Sequence, residues 1–215
     1  MQINEKLIEE IVNQVLAQIS ASDAGQRTAE MSSHGMSFKE AGPSEVGTNP
    51  REVVIGIGPA FGKGLHFTIK KIPHATVLRE LIAGIEEEGC TPRVVRVRRT
   101  SDVGFIANYA AKLSGSGIGI GVQSKGTTVI TQKDLNPLTN LELFPLAPII
   151  TEDRYRAIGR NAAKYAKGEN PEPVPVIIDQ SVLPIYQPIA VLLHNRETSF
   201  VVDRAEPVDV EVKFE

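Results

Sequence analysis

The sequence predicts an α/β layered domain with a mixed, mostly parallel sheet, preceded by an amphipathic helix and a flexible linker. Three observations support this fold class. Short β-branched runs alternate with helical patterns, glycine and proline separate the two kinds of segment, and a chain of 215 residues is long enough for one domain with extensions.

The N-terminal region divides into two parts. Residues 3–19 place Ile, Leu and Val at steps of three and four, with Glu, Lys and Gln between them, so we expect an amphipathic helix over residues 1–19. Residues 20–51 are rich in Ser, Gly, Ala, Glu and Thr and have little apolar periodicity, which predicts a flexible linker. The helix either docks on a partner or packs on its own domain.

The folded domain is expected to cover residues 52–215 and to begin with alternating strands and helices. Gly89 is suited to end the first helix, and Ser101 and Asp102 are suited to cap the second. The predicted order is a strand over Glu52–Ile57, a helix over 74–88, a strand over Pro92–Val97 and a helix to Leu113.

The second half continues with two apolar runs, Gly117–Val122 and Thr127–Thr131. A four-residue turn joins them, so at least one strand is expected to be antiparallel. A helix is expected over residues 151–167. Further apolar runs lie at Val174–Ile178, Ala190–His194, Phe200–Val202 and Val208–Val212.

Composition excludes several classes of protein. The net charge of −3 disfavours nucleic acid as the main partner. In the basic run Arg93–Arg99 the arginines alternate with valines, which is typical of a strand with one solvent-exposed face. The single cysteine, Cys90, excludes an intrachain disulfide and favours a reducing cytosol. The sequence has no apolar run of membrane-spanning length and no secretory signal pattern, so no membrane association is expected.

No set of residues has the spacing of a catalytic or metal site. The glycines at 56–64 lack the Gly-Lys-Ser/Thr ending of a phosphate loop, and Pro59 removes an amide there. The four histidines have no short metal-ligand spacing, and no nucleophile elbow is present. We therefore predict no catalytic residue and no metal ligand in this chain.

The most unusual segment is LSGSGIGIGVQSKGTTVIT, residues 113–131. Its glycines recur at every second position, so a strand here has one face without side chains. Another backbone or a flat ligand is then expected to approach closely. Lys125 and the hydroxyls of Ser124, Thr127 and Thr128 add polar groups at the strand end, where ligands bind in open α/β sheets. The alternative is tight helix-on-sheet packing with a solvated lysine.

Six segments in order carry a family resemblance. They are VIGIGPAFG at 54–62, ELIAGIEEEG at 80–89, TSDVGF at 100–105, LSGSGIGIGVQSKGTTVI at 113–130, LTNLELFPLAP at 138–148 and RAIGRNAAKYAKGENPEPVP at 156–175. With these segments the chain resembles the medium (β) subunit of adenosylcobalamin-dependent diol dehydratases and the related glycerol dehydratases. The resemblance covers nearly the whole domain.

The resemblance implies a Rossmann-like three-layer domain within a dimer of heterotrimers of large, medium and small subunits. The enzyme is a carbon–oxygen lyase that converts a diol to an aldehyde and water. The large subunit carries the substrate, metal ion and radical chemistry, and the medium subunit covers the lower side of the shared adenosylcobalamin. No catalysis is expected from this chain alone. A reactivating chaperone is a further implied partner.

Residue by residue, the resemblance implies cofactor contacts at two groups of positions. Asp102 and Lys125 match positions that hydrogen-bond corrin amide arms or the nucleotide loop. Thr127, Leu138, Asn140 and Pro145 match positions that line the dimethylbenzimidazole nucleotide. One departure concerns Pro184, because Val182, Leu183 and Ile185 flank it where the family often has basic residues.

The extended N-terminus favours the propanediol type over the glycerol type. In such enzymes a similar extension binds the shell protein of a bacterial microcompartment, which implies a location in the lumen of that cytoplasmic compartment. Two alternatives to a dehydratase subunit remain: the small subunit of the dehydratase-reactivating chaperone, which is shorter and lacks the full Gly115–Lys125 segment, and a stand-alone α/β binding module.

Overall fold

The computed structural model of the chain describes residues 35–175 and 183–215. The helix expected at residues 1–19 and the linker up to residue 34 lie outside this range. The strands are β1 (Met36–Pro43), β2 (Glu52–Ile57), β3 (Thr91–Arg96), β4 (Ile118–Val122), β5 (Thr128–Gln132), β6 (Glu142–Phe144) and β7 (Val208–Phe214). The helices are α1 (His74–Glu87), α2 (Val103–Leu113), α3 (Glu152–Ala166) and α4 (Leu183–Thr198).

The strands form one sheet in the order β1-β7-β3-β2-β4-β5-β6. Only β3, β2 and β4 pair in parallel, and the other four pairings are antiparallel. The expected mixed sheet is confirmed, but the expectation that it is mostly parallel is wrong. Short connections explain two of the antiparallel pairings, because the chain after β4 returns through a tight turn and then a short loop, and neither has room for a crossover helix. The other two arise because β7 pairs antiparallel with both β1 and β3.

Helices cover both faces of the sheet. Val53, Ile55 and Ile57 of β2 point into one core with α1 and α3, whereas Val54 packs with α2 on the opposite face. This alternation along β2 explains why all six of its residues are buried. The α/β class predicted from the sequence is confirmed.

The glycine face of β4 is covered by α2. A Cβ atom on Gly119 would lie 2.2 Å from the backbone nitrogen of Ala111, and one on Gly121 would lie 2.6 Å from that of Ala107. The sequence predicts that either another backbone or a flat ligand approaches this face. The structure shows that the backbone of α2 occupies it. Any ligand must bind beyond the end of the strand.

The domain begins earlier than expected. Residues 36–43 fall in the segment expected to be a flexible linker, but they form the edge strand β1, antiparallel to β7. Met36 is only 1 % exposed and joins the main core. β1 contains no β-branched residue and half of its residues are exposed, so its order comes from pairing with a strand far along the chain, which local composition does not reveal.

The apolar run at 190–194 lies within α4. Ile189 and Leu193 are buried against Ala60 and Leu65, whereas Val191 is 54 % exposed. Apolar residues on both sides of this helix, and Pro188 within it, hide its periodicity in the sequence. None of the helices in the two described ranges is long and apolar enough to cross a bilayer.

The basic run on β3 is less exposed than its pattern suggests. The interpretation of residues 93–99 as a strand with one solvent-exposed face is wrong at Arg96, which is completely buried. Its guanidinium donates to the carbonyl oxygens of Phe61 (2.7 Å) and Gly58 (3.2 Å) and forms an ion pair with Glu40 (3.1 Å). Arg96 therefore braces the loop that follows β2.

Candidate functional site

The candidate site lies beyond the carboxyl ends of β2 and β4. Chain order reverses between these two strands, because α1 leads from β2 to β3 on one face and α2 leads from β3 to β4 on the other. Ligands of open α/β sheets bind in the crevice that such a reversal creates. The crevice is bounded by the turn at residues 123–126 and by the amino end of α2.

The turn after β4 is held by buried polar contacts. The Tyr155 hydroxyl donates to the carbonyl of Gly126 (3.0 Å), and Gly126 has a φ of +107°, which favours glycine. The backbone N–H of Gly62 donates to Nδ1 of His74 (3.0 Å), so Nε2 carries the proton and donates to the Ser124 carbonyl (2.8 Å). His74 thus joins the loop after β2 to the turn after β4.

Burial keeps His74 neutral. The ring is fully buried and stacks on Phe61 with 3.8 Å between the ring centroids, and desolvation lowers the pKa of His74 to about 3. A neutral ring with one donor and one acceptor matches its two partners. The role of His74 is structural, and the sequence did not reveal it.

Glu197 of α4 binds the turn that follows β4. Its fully buried carboxylate accepts hydrogen bonds from the Ser124 backbone N–H (3.0 and 3.1 Å) and hydroxyl (2.8 Å). A Cβ atom on Gly58 would lie 2.0 Å from this carboxylate, so only glycine leaves room for it. Burial raises the pKa of Glu197 to about 7, against the opposing effects of the Ser124 bonds, Lys125 and Arg96.

Lys125 and Asp102 interact beside this buried carboxylate. Lys125 is half-buried, and burial lowers its pKa while Glu197 and Asp102 oppose that shift. Asp102 is exposed and caps α2, its carboxylate accepting from the Phe105 N–H at 3.0 Å. His194 of α4 interacts electrostatically with both, and burial lowers its pKa. The arrangement offers one cation and one anion at the mouth of the crevice.

Two neighbouring polar side chains are buried but incompletely satisfied. Within the part of the chain that the structure describes, the Thr127 hydroxyl and the Oε1 atom of Gln123 have no hydrogen-bond partner, although the two residues are only 6 % and 3 % exposed. Buried polar atoms without partners are uncommon in folded proteins and often mark the place of a water or a ligand. Thr127 was predicted as a site residue, whereas Gln123 was not.

Leu138 and Pro145 lie near the same end of α2 and β5, whereas Asn140 lies farther along β5, beside residues 130 and 131. The carbonyl of Pro137 closely approaches Gly104 in the first turn of α2, which brings Leu138 to that turn, and Leu138 is 75 % exposed. Pro145 is exposed and follows Phe144, the partner of Thr128, so it lies beside Thr127. Asn140 is half-buried at the end of the same loop.

The structure therefore places five of the predicted positions near the same end of the sheet, with Asn140 farther along β5, and adds Gln123, His194 and Glu197. The additional residues had no spacing signal, because two come from α4, which the sequence did not reveal. Gln123 directly precedes the Ser-Lys-Gly turn at residues 124–126, and this position is the one sequence signal that could have marked it as a site residue. Within the described residues, no group of three acidic, histidine or cysteine side chains is arranged to hold a metal ion.

The fold and the site define an α/β protein with a group of polar side chains beyond a strand reversal. A family model described as the dehydratase medium subunit matches residues 58–172. The chain belongs to the dehydratase medium subunit family and is therefore one subunit of a dehydratase assembly. Among solved structures, a glycerol dehydratase reactivase aligns with a TM-score of 0.45 and 21 % identity, covering 54 % of this chain and 92 % of that chain.

Proposed function

We propose that this chain is the medium subunit of an adenosylcobalamin-dependent propanediol dehydratase and holds the corrinoid together with the large subunit. The observation that carries the proposal is the group formed by Asp102, Lys125 and the unsatisfied Thr127 hydroxyl in a chain of this family. The reaction converts a diol to an aldehyde and water.

The residues present fit this cofactor chemically. A corrinoid carries amide arms with N–H donors and carbonyl acceptors, together with a nucleotide loop. The Asp102 carboxylate can accept from an amide, the Lys125 ammonium can donate to a carbonyl or phosphate oxygen, and the Thr127 hydroxyl can do either. Leu138 and Pro145 add apolar surface near this end of the sheet, and Asn140 adds an amide farther along β5.

When bound, adenosylcobalamin supplies the radical that starts the diol rearrangement. The residues of this chain bind and orient the cofactor and keep water from its lower side. Helix α2 fixes Asp102 at its amino end, and the braced turn fixes Lys125 and Thr127. We assign no contact to the region of Pro184, because its neighbours in the sequence are apolar where the family often has basic residues.

The purified chain alone is expected to form no aldehyde from 1,2-propanediol or glycerol, even with adenosylcobalamin present. The reason is that the proposal places substrate and radical chemistry in the large subunit. Co-expression with the large and small subunits should yield a corrinoid-dependent enzyme in the same aldehyde assay. Turnover by the isolated chain would contradict the proposal, and a strong preference for glycerol would assign the chain to the glycerol type.

We further propose that residues 1–19 direct the enzyme to a microcompartment shell protein and that a reactivating chaperone is another partner. Deletion through Ser20 is expected to leave assembly and specific activity near normal and to make the enzyme more soluble. If the segment docks on a shell protein, its Ile, Leu and Val residues promote association of the isolated enzyme, and the deletion removes them.

The deletion is tested with a matched localisation experiment. Residues 1–20 fused to a fluorescent protein should form foci in cells that produce shells, whereas the same fusion in cells without shells should stay diffuse. A truncated enzyme with a lower melting temperature, together with diffuse fluorescence of the fusion in both strains, would instead show that the segment packs on its own domain.

A further inference from the structure

Gln123 and Thr127 face the same side of the β4–β5 hairpin. Side chains alternate along a strand, so Gln123 shares the face of Gly119 and Gly121, which lies against α2. The Gln123 N–H donates to the Thr127 carbonyl at 3.0 Å, which places these residues opposite each other. In an antiparallel pair, opposite side chains lie on one face, so the two are neighbours at the amino end of α2.

The orientation of the Gln123 amide is fixed by a neighbouring carbonyl. Its Nε2 group donates to the backbone oxygen of Ser101, and a flipped amide would set Oε1 against that oxygen. Oε1 therefore has to act as an acceptor, and it has no donor. The Ser101 hydroxyl is paired separately with Thr198 of α4 at 2.8 Å.

Other hydroxyls of this hairpin are satisfied. The Thr128 hydroxyl donates to the Gly126 carbonyl and the Thr131 hydroxyl donates to the Thr139 carbonyl, both at 3.0 Å. The unpaired atoms are thus confined to Gln123 and Thr127. An acceptor beside a hydroxyl complements a primary carboxamide, whose N–H reaches the acceptor while its carbonyl accepts from the hydroxyl.

We propose that Gln123, with Thr127, binds a primary carboxamide group of the ligand at the amino end of α2. This inference rests on the proposed function, because the corrin ring carries such amide arms. Both atoms are buried, so the proposal requires a neighbouring side chain to move when the ligand binds. We infer that this side chain is Lys125, which is half-buried in the turn between the two residues and interacts electrostatically with the exposed Asp102.

The binding test uses the complex assembled with the large and small subunits. It is titrated with cobalamin and with a set of analogues that each carry one carboxylate in place of a ring amide. Thr127→Val and Gln123→Met should each weaken cobalamin binding about three- to tenfold, as loss of a neutral hydrogen bond predicts. In the wild type, one analogue of the set should bind worst, and Gln123→Met should abolish that discrimination.

A stability readout separates a ligand site from a water site. In the full chain without ligand, Thr127→Val should leave the melting temperature unchanged or raise it, because the hydroxyl it removes has no partner. Ser114→Ala is the matched control and should lower the melting temperature, since it deletes a buried hydrogen bond to the Glu52 carbonyl (2.8 Å) at the other end of α2, while leaving cobalamin affinity unchanged. A lowered melting temperature for Thr127→Val would show that a bound water satisfies the hydroxyl and would overturn the inference.

The outcomes also separate this inference from the proposed function. Unchanged cobalamin affinity in both Thr127→Val and Gln123→Met, with normal binding by the wild type, would overturn the carboxamide site alone. Equal discrimination among the analogues by wild type and Gln123→Met would do the same. Absence of cobalamin binding by the wild-type complex would overturn the proposed function and the carboxamide site together.

Discussion

Gly119→Val is expected to destabilise the chain by about 3 kcal/mol or more, a large share of the stability of about 5–15 kcal/mol that is typical of a whole domain. The new Cβ atom would begin 2.2 Å from the nitrogen and 2.7 Å from the Cα atom of Ala111. Both atoms belong to the backbone of α2, so the clash is relieved only if the helix moves. Because Asp102 caps α2, the same movement also disturbs the candidate site.

Urea denaturation of the full-length chain, followed by circular dichroism, measures this effect. Gly89→Asn is the matched control, because a Cβ atom on Gly89 would meet no other atom within 4 Å. Gly89 has a φ of +73°, a backbone conformation that asparagine tolerates. The control should shift the unfolding midpoint only slightly. Similar midpoints for both variants would show that α2 does not pack tightly on the glycine face of β4.

The glycine face illustrates what the sequence could and could not predict. Glycines at alternate positions require that something approaches the strand closely, and the structure confirms such an approach at Gly119 and Gly121. The pattern does not distinguish a ligand from a helix, because both need only the absence of a side chain. Their difference lies in where α2 packs, which is a property of the whole fold.

Helix α4 and strand β1 show two other limits of the sequence. The α4 segment has apolar residues on both sides, because Leu193 is buried against the domain while Val191 remains exposed. Its amphipathic pattern is therefore weak. Strand β1 has no β-branched residue to mark it in the sequence, and it is ordered because it pairs with β7 more than 160 residues later in the chain.

Only part of the candidate site could be predicted, because some of its residues come from segments whose structure the sequence did not reveal. Asp102, Lys125 and Thr127 stand at the ends of predicted elements, where both position and family resemblance indicate a ligand. Glu197 comes from α4, and its importance appears only when its carboxylate is seen against Ser124 and Gly58. Gln123 became a candidate because its buried Oε1 atom has no hydrogen-bond partner among the described residues, and no sequence pattern predicts that.

Removal of the Lys125 and Asp102 charges is expected to weaken corrinoid binding about ten- to a hundredfold at each position. A hydrogen bond to a charged group contributes roughly 1.5–3 kcal/mol, and about 1.4 kcal/mol corresponds to a tenfold change in affinity. Lys125→Met keeps the aliphatic part of the side chain. Asp102→Ser keeps a residue that can cap α2, so each variant removes the charge with little effect on the fold.

Exposed residues of the same charge provide the controls. The control substitutions are Lys112→Met and Asp134→Ser. Lys112 lies on the last turn of α2, Asp134 lies in the loop after β5, and both side chains are exposed. Both controls should bind corrinoid like the wild type. All four variants are expected to assemble with the partner subunits, which size-exclusion chromatography checks before the titration.

The central claim is that this chain contributes directly to the corrinoid site of the dehydratase. Its most direct test is a cobalamin titration of the assembled complex that carries Lys125→Met and Asp102→Ser together, compared with the complex that carries both control substitutions. We expect at least a tenfold weaker affinity for the double site variant and wild-type affinity for the double control. Equal affinities in the two complexes would show that these two charges do not contribute to corrinoid binding.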